Sequence, residues 1–195
     1  WYKDGATHLL RTQKGGAWGP VYSTAFSMLF LIRGQHPVLF NKLKYNGDWN
    51  NRPRDLASLT RWMSKTYEQT LNWQIVDLKM PVRDWHDAPI LVITGSKEPA
   101  FDEANISKLR KFVVQGGTIL SIGESTFSSK PFSDAMRKVY EQMFPDYKLT
   151  PLPKGHKLYS REVYYDLPYE LLKFEVVSNG VRPLIIHTDD DLSKS

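Results

Sequence analysis

The chain contains no cysteine, which removes disulfides, thiolate metal sites and cysteine nucleophiles together, although a cysteine-free segment is tolerated in any redox compartment. Long hydrophobic runs are also missing. The longest apolar stretch, Ala25-Phe-Ser-Met-Leu-Phe-Leu-Ile32, falls far short of the roughly 20 residues that span a bilayer and reads as a buried helix. A concentrated positive charge is missing too. Residues 1–50 hold six basic and two acidic residues, +4 of the formal +5, and the remainder is nearly balanced at 20 basic and 19 acidic. A groove for phosphates needs clustered Lys and Arg. The tight cluster, Lys108-Leu-Arg110-Lys111, reads as a solvated helix face, so nucleic acid is not expected as a partner. No Met, basic n-region or cleavage-type signal opens the chain; the expectation is that the true N-terminus, with any targeting sequence, lies upstream, which leaves localisation open.

What is present is ordinary for a soluble globular protein: 195 residues, 41% hydrophobic and 24% charged, enough for one domain with a sizeable core plus an appendage, and too apolar for disorder. Residues 1–45 read as helical. Trp1, Ala6, Leu9 and Leu10 fall at helical spacing, Gln13-Lys-Gly-Gly-Ala-Trp-Gly19 is a glycine-rich turn, and a second helix runs from about Pro20 to Ile32, stopped at Gly34. Such a hairpin cannot bury its own face and calls for stacked neighbours. Residues 46–53, rich in Asn, Gly and Asp, read as a linker.

From residue 54 the pattern alternates: helix 54–68, strands 73–78 and 89–94, helix 102–115, strand 118–123, helix 131–143, strand 147–151, and two more strands near 172–177 and 182–187. Ile90-Leu-Val-Ile-Thr94 and Thr118-Ile-Leu-Ser-Ile122 are continuously apolar, as strands covered on both faces must be. The fold class is therefore α/β, a doubly wound, mostly parallel sheet with an N-terminal helical hairpin. Ligands in such sheets collect at the carboxyl ends of strands, which selects Thr94-Gly-Ser-Lys-Glu98 and Ser121-Ile-Gly-Glu-Ser125. Gly95, Ser96, Gly123 and Glu124 are the candidate ligand-binding positions there. Neither loop carries a P-loop or a three-glycine dinucleotide fingerprint, so no cofactor is expected. Glu124 is a candidate general base or ligand contact. Ser125 is a candidate nucleophile, weighed against the turn-capping role common for such serines. His8, His36, His86 and His187 show no shared ligand spacing, so no zinc site is expected. Thr188-Asp-Asp-Asp-Leu192 has the carboxylates for a hard cation but reads as a solvated turn.

Two resemblances add to this. Leu9-Leu10, Gln13, Gly16, Trp18 and Ser23-Thr-Ala-Phe-Ser-Met-Leu-Phe-Leu resemble the closing repeat of a prenyltransferase or squalene-cyclase type α/α toroid, which implies structural roles for Gln13 and Trp18. Arg54-Asp-Leu-Ala-Ser-Leu-Thr, Asn72-Trp-Gln-Ile-Val, Asp87-Ala-Pro-Ile-Leu-Val-Ile-Thr-Gly95, Leu109-Arg-Lys-Phe-Val-Val-Gln-Gly-Gly-Thr-Ile-Leu120, Phe144-Pro145 and Leu152-Pro-Lys-Gly-His156 resemble an uncharacterised bacterial domain family. That family is grouped with class I glutamine-amidotransferase-like, flavodoxin-type folds and often follows toroid repeats or membrane anchors. The resemblance implies domains at 1–45 and 54–195 joined by 46–53, with the second cut short at its C-terminus. It also implies upstream helical repeats as neighbours, a cell-envelope association through the upstream region, and His156 as a candidate site residue beside the aromatic segment Tyr159 to Tyr169. The amidotransferase elbow would fall after Ile122, where Gly123, Glu124 and Ser125 stand in place of a thiol, so glutaminase chemistry is not expected. The expected function is a non-catalytic module binding a protein or small molecule. The alternative is a hydrolase with relocated acid–base residues, Glu124 and His156, acting on a small or carbohydrate-like ligand.

Overall fold

A computed structural model describes Tyr22, Phe26, Leu29 and residues 36–125, 128–154, 156, 159 and 173–192. The chain divides into two compact units, Trp1–Pro37 and Val38–Ser195. In the first, Tyr22, Phe26 and Leu29 are helical and exposed; Gln13, Trp18 and the rest of the expected hairpin lie outside the described residues.

Among the described residues the second unit is an α/β domain on a seven-stranded sheet, and it begins earlier than the helical reading of 1–45 allows. Val38–Lys44 is a strand, β1. Its pattern hides this because two polar residues, Asn41 and Lys42, are fully buried within it. Each has a partner: Asn41 Nδ2 donates to the Trp85 carbonyl at 2.5 Å, and Lys42 Nζ donates to Asp55 at 2.7 Å. The elements that follow are α1 (Asp55–Thr66), β2 (Asn72–Asp77), α2 (Val82–Trp85), β3 (Ile90–Gly95), α3 (Glu103–Val114), β4 (Thr118–Gly123), α4 (Lys130–Met143), β5 (Thr150–Pro151), β6 (Glu175–Ser178) and β7 (Pro183–Thr188). The expected strand 147–151 shrinks to Thr150–Pro151; Tyr147 is instead held in a turn, its amide donating to the Phe144 carbonyl at 3.1 Å.

Strand order is β2-β1-β3-β4-β7-β6-β5. The pairs from β2 to β7 are parallel, and β7, β6 and β5 continue antiparallel. Helix positions follow ordinary signals. Asp102 caps α3 by accepting from Asn105 N at 2.7 Å, and Pro131 sits in the first turn of α4. Phe132, Met136, Val139, Tyr140 and Met143 form a buried stripe at three- and four-residue spacing along α4.

The two faces of the sheet are unequal. Under α3 and α4 lies the main core, with Leu43, Leu91, Ile93, Ile119, Phe112, Phe132 and Met136 all fully buried. Under α1 lies a small cluster of Phe40, Leu56, Val92 and Ile122. On that thinner side Lys42 reaches the start of α1, its side chain 1% exposed and its Asp55 partner 9%. Removing one member of a buried pair leaves an uncompensated charge, typically costing about 3–5 kcal/mol. Lys42→Met is predicted to lose about that much unfolding free energy in urea titrations. The loss should be larger at pH 8 than at pH 5, where the neighbouring Glu124 carboxyl, raised by burial to about 7, is protonated; an equal loss at both would show that packing, not charge, holds Lys42.

Candidate functional site

The order of the parallel strands reverses between β1, which leads to β2 on one side, and β3, which leads to β4 on the other. Their carboxyl ends form the crevice where such sheets take ligands. Here the protein's own loop fills it. The carboxylate of Asp48 accepts the Ser96 amide at 3.1 Å, the Lys97 amide at 3.3 Å and the Ser96 hydroxyl. Burial works to raise the Asp48 carboxyl, but the hydrogen bonds from Ser96, Asn51 and Lys97 hold it below the usual value. Thr94 Oγ1 donates to the Trp49 carbonyl at 2.7 Å and Asn51 Nδ2 to the Glu124 carbonyl at 3.2 Å. Residues 46–53 are thus not a linker between domains but a loop bound over the strand ends, and Ser96 contacts this loop.

Gly95 and Gly123 pair with each other across β3 and β4. A Cβ at Gly95 would lie 2.9 Å from the Phe132 ring and overlap the Tyr45 hydroxyl; one at Gly123 would lie 2.6 Å from Ser129 Cβ and 3.0 Å from the Asp189 carbonyl. Their missing side chains make room for α4 and for the β1 loop. Ser125 Oγ accepts the Ser128 amide at 3.0 Å, a turn contact. His156 lies in a loop where its amide donates to the Pro153 carbonyl at 2.9 Å.

Glu124 stands apart from these. Its amide donates to the Gly95 carbonyl at 2.9 Å, which fixes the backbone at the end of β4. Alternation along the strand then sends its side chain to the α1 face, with Leu120 and Ile122. There it lines a cavity of about 910 Å³ together with Leu56, Leu59 and Trp62 of α1, Leu192, and the polar groups Arg52 and Asp55. The polar groups gather where β4 ends and α1 begins, and the leucines continue along both elements. Of the six expected site positions, Glu124 alone lines this cavity; Gly95, Ser96, Gly123, Ser125 and His156 do not.

The charges around Glu124 are already matched to others. Lys42 is given to Asp55 at 2.7 Å and to the Arg52 carbonyl at 3.2 Å, and Arg52 is given to Asp191 at 2.8 Å. Glu124 is 1% exposed, and among the described residues its Oε2 has no hydrogen-bond partner; neither has the buried Nε of Arg52. Burial drives the Glu124 carboxyl up, Lys42 opposes it and Asp55 adds to it, leaving a value of about 7. A carboxyl there is able to hold or yield a proton near neutrality.

A second polar group, on the other face, escaped the sequence reading. Ser121 and His187 are register partners on β4 and β7 and are hydrogen-bonded through Oγ and Nδ1. Tyr140 donates to Ser121 at 2.5 Å, and His187 Nε2 lies 3.0 Å from Asp189. Arg137 holds both Asp189, at 2.8 Å, and Glu175, at 2.7 Å. The residue types are those of a hydrolase triad, but serine is on Nδ1 and the carboxylate on Nε2, the reverse of the working arrangement. Ser121 and His187 are wholly buried beneath α4, and burial holds His187 below its ordinary pKa and so neutral. This is a structural seam: it satisfies polar atoms inside the core. The acidic turn likewise divides its carboxylates. Asp189 goes to Arg137, Asp190 accepts the Lys173 amide at 3.1 Å, and Asp191 takes Arg52. Among the described residues no group of three or more His, Cys, Asp or Glu is placed to hold a metal ion, and no helix is long and apolar enough to cross a membrane.

The fold and this strand-end arrangement define an α/β domain with a mostly parallel sheet, a filled switch-point crevice and a cavity on the α1 face. Residues 39–191 match the family model DUF4159, a domain of unknown function, and the chain belongs to that family. The match starts at β1, which agrees with the strand and not with a helical boundary at 45. No curated protein matches the chain.

A carboxyl raised in the folded state favours folding when protonated. Its contribution is whole below about pH 4.5 and is lost as pH rises through about 7. Glu124→Gln has no proton to lose. Unfolding titrations should therefore show wild-type stability falling relative to Glu124→Gln by up to about 3 kcal/mol between pH 4.5 and pH 8, whereas parallel curves would place Glu124 in contact with water.

Proposed function

We propose that this domain is a ligand-binding module on an amidotransferase-like, flavodoxin-type scaffold that has no thiol nucleophile. The parallel strands support the scaffold: taken in chain order they run 2-1-3-4 and then the last, the flavodoxin order, before the antiparallel extension. The absence of cysteine supports the loss of glutaminase chemistry. The observation that carries the binding reading is the cavity itself. It is within the size range that takes small molecules, mostly apolar, and lined by Glu124, whose buried Oε2 has no partner among the described residues. An apolar wall of this kind disfavours a carbohydrate, whose hydroxyls would be stranded on it. Tyr22, Phe26 and Leu29, each helical, exposed and four and three residues apart, support a place at the edge of a helical repeat, and upstream repeats of the same protein are the neighbours proposed for it.

An enzymatic reading has one observation in its favour, the Glu124 carboxyl held near 7 beside the Lys42–Asp55 pair, a suitable value for general acid–base work. His156 does not line that cavity and has no part in this reading. The two readings separate on Glu124→Gln: a hydrolase panel should show no turnover that depends on Glu124.

The binding reading is tested by filling the cavity. Leu59 is on the exposed side of α1, so Leu59→Trp should fold with wild-type stability within about 1 kcal/mol. In a fragment screen read by thermal shift and calorimetry, wild type should bind small apolar molecules that Leu59→Trp binds at least about tenfold more weakly. Equal binding by both proteins would place the ligands elsewhere.

A further inference from the structure

The cavity's polar groups identify the kind of head group it would accept. Lys42 and Arg52 each have a carboxylate of their own, Asp55 and Asp191. Arg54 also lines the cavity, but it is solvent-exposed. Glu124 shares hydrogen bonds with Thr94 and Asp55 and feels Lys42, but the cation belongs to Asp55 and the buried Glu124 Oε2 has no partner among the described residues. Leaving such a group unpaired costs more than a typical hydrogen bond returns, whereas a charge-assisted bond to a cation offsets that cost. Arg52, which also lines the cavity, carries a second buried atom without a partner among the described residues, Nε, a donor that calls for an acceptor. The remaining wall, Leu59, Trp62, Leu120 and Ile122, calls for hydrocarbon.

We propose that the occupant is an amphiphilic amino alcohol: an apolar body bearing a protonated amine that donates to Glu124, with an adjacent hydroxyl that accepts from Arg52 Nε. The assignment rests on the binding reading above and narrows it to a ligand class. A carboxylate-headed molecule would face Glu124 as a like charge, and a plain alcohol would leave the carboxylate without a counter-charge. Besides burial, the groups that set the charge state of Glu124 are Lys42 on β1, Asp55 on α1 and the hydrogen-bonded Thr94 on β3, and Glu124 in turn acts on Arg52 in the loop before α1 and on Tyr45 after β1. Because the carboxyl sits near 7, amine binding requires it ionised and therefore strengthens as pH rises.

The test uses four probes on the whole chain by calorimetry: 1-amino-2-octanol, octylamine, 2-octanol and octanoate. At pH 8 the amino alcohol should bind at least about tenfold more tightly than 2-octanol or octanoate, and about threefold more tightly than octylamine. Its affinity should fall about tenfold from pH 8 to pH 6, and Glu124→Gln should erase both the pH dependence and the advantage over 2-octanol. Octanol or octanoate binding as tightly as the amines, with Glu124→Gln unchanged, overturns the amine assignment while leaving a binding cavity. Octylamine equal to the amino alcohol overturns the role of the hydroxyl. Failure of all four probes, in a protein whose Leu59→Trp variant also behaves as wild type in the fragment screen, overturns the binding reading with it.

Discussion

An ammonium group withdrawn from water in the middle of a β-strand obliges its surroundings to supply oxygen. Lys42 does this at the centre of the thinner face of the sheet, and the elements around it are arranged to answer. Asp55 opens α1 directly above it, and the Arg52 carbonyl turns inward from the preceding loop. Two charges in this environment recover their lost hydration only with close geometry and further hydrogen bonds. That requirement ties β1, the loop 46–54 and the start of α1 together. It also explains why the loop is not a spacer: its side chains close the β1–β3 crevice through Asp48 and reach β4 and the acidic turn through Asn51 and Arg52.

The pairing has a second consequence. Because Lys42 is given to Asp55, Glu124 is buried next to a cation that it does not own. Burial and the Asp55 charge together outweigh Lys42, and the carboxyl is held near neutrality instead of deep in the acid range. The opposite face shows how the fold treats polar groups that it has no further use for. Ser121, Tyr140, His187 and Asp189 form a continuous hydrogen-bonded series ending on Arg137, and the glycines at 95 and 123 let α4 and the β1 loop close over that side. One face is closely packed, with Asn41 Oδ1 and Ser133 Oγ the buried atoms left unmatched there among the described residues; the other keeps a cavity and an unmatched carboxylate oxygen.

Much of the α/β architecture was legible in the residues. Continuous apolar runs such as Ile90 to Thr94 and Thr118 to Ile122 identify strands buried on both sides, and the stripe from Phe132 to Met143 identifies the helix that covers them. β1 was not legible, because Asn41 and Lys42 break its apolar run, and their burial depends on partners 44 and 13 residues away. The same long-range pairing made a site loop look like a linker. At the site, Glu124 was legible as a carboxylate at a central strand end. Gly95 and Gly123 were read for the ligand approach glycine permits, where close packing is what fills their space. The Ser121–His187 pair joins residues 66 apart in the chain. Only the register between β4 and β7 brings them together, and no local spacing signals it.

The character of the cavity depends on the charge state of one carboxyl, Glu124. Following the side-chain carboxyl carbon of Glu124 by NMR across pH 3 to 10, with Glu124→Gln to assign the resonance, measures it directly. A midpoint near 7 is expected, moving upward when Lys42 is replaced by Met. A midpoint in the ordinary glutamate range of about 4.3, unmoved by that replacement, would contradict it.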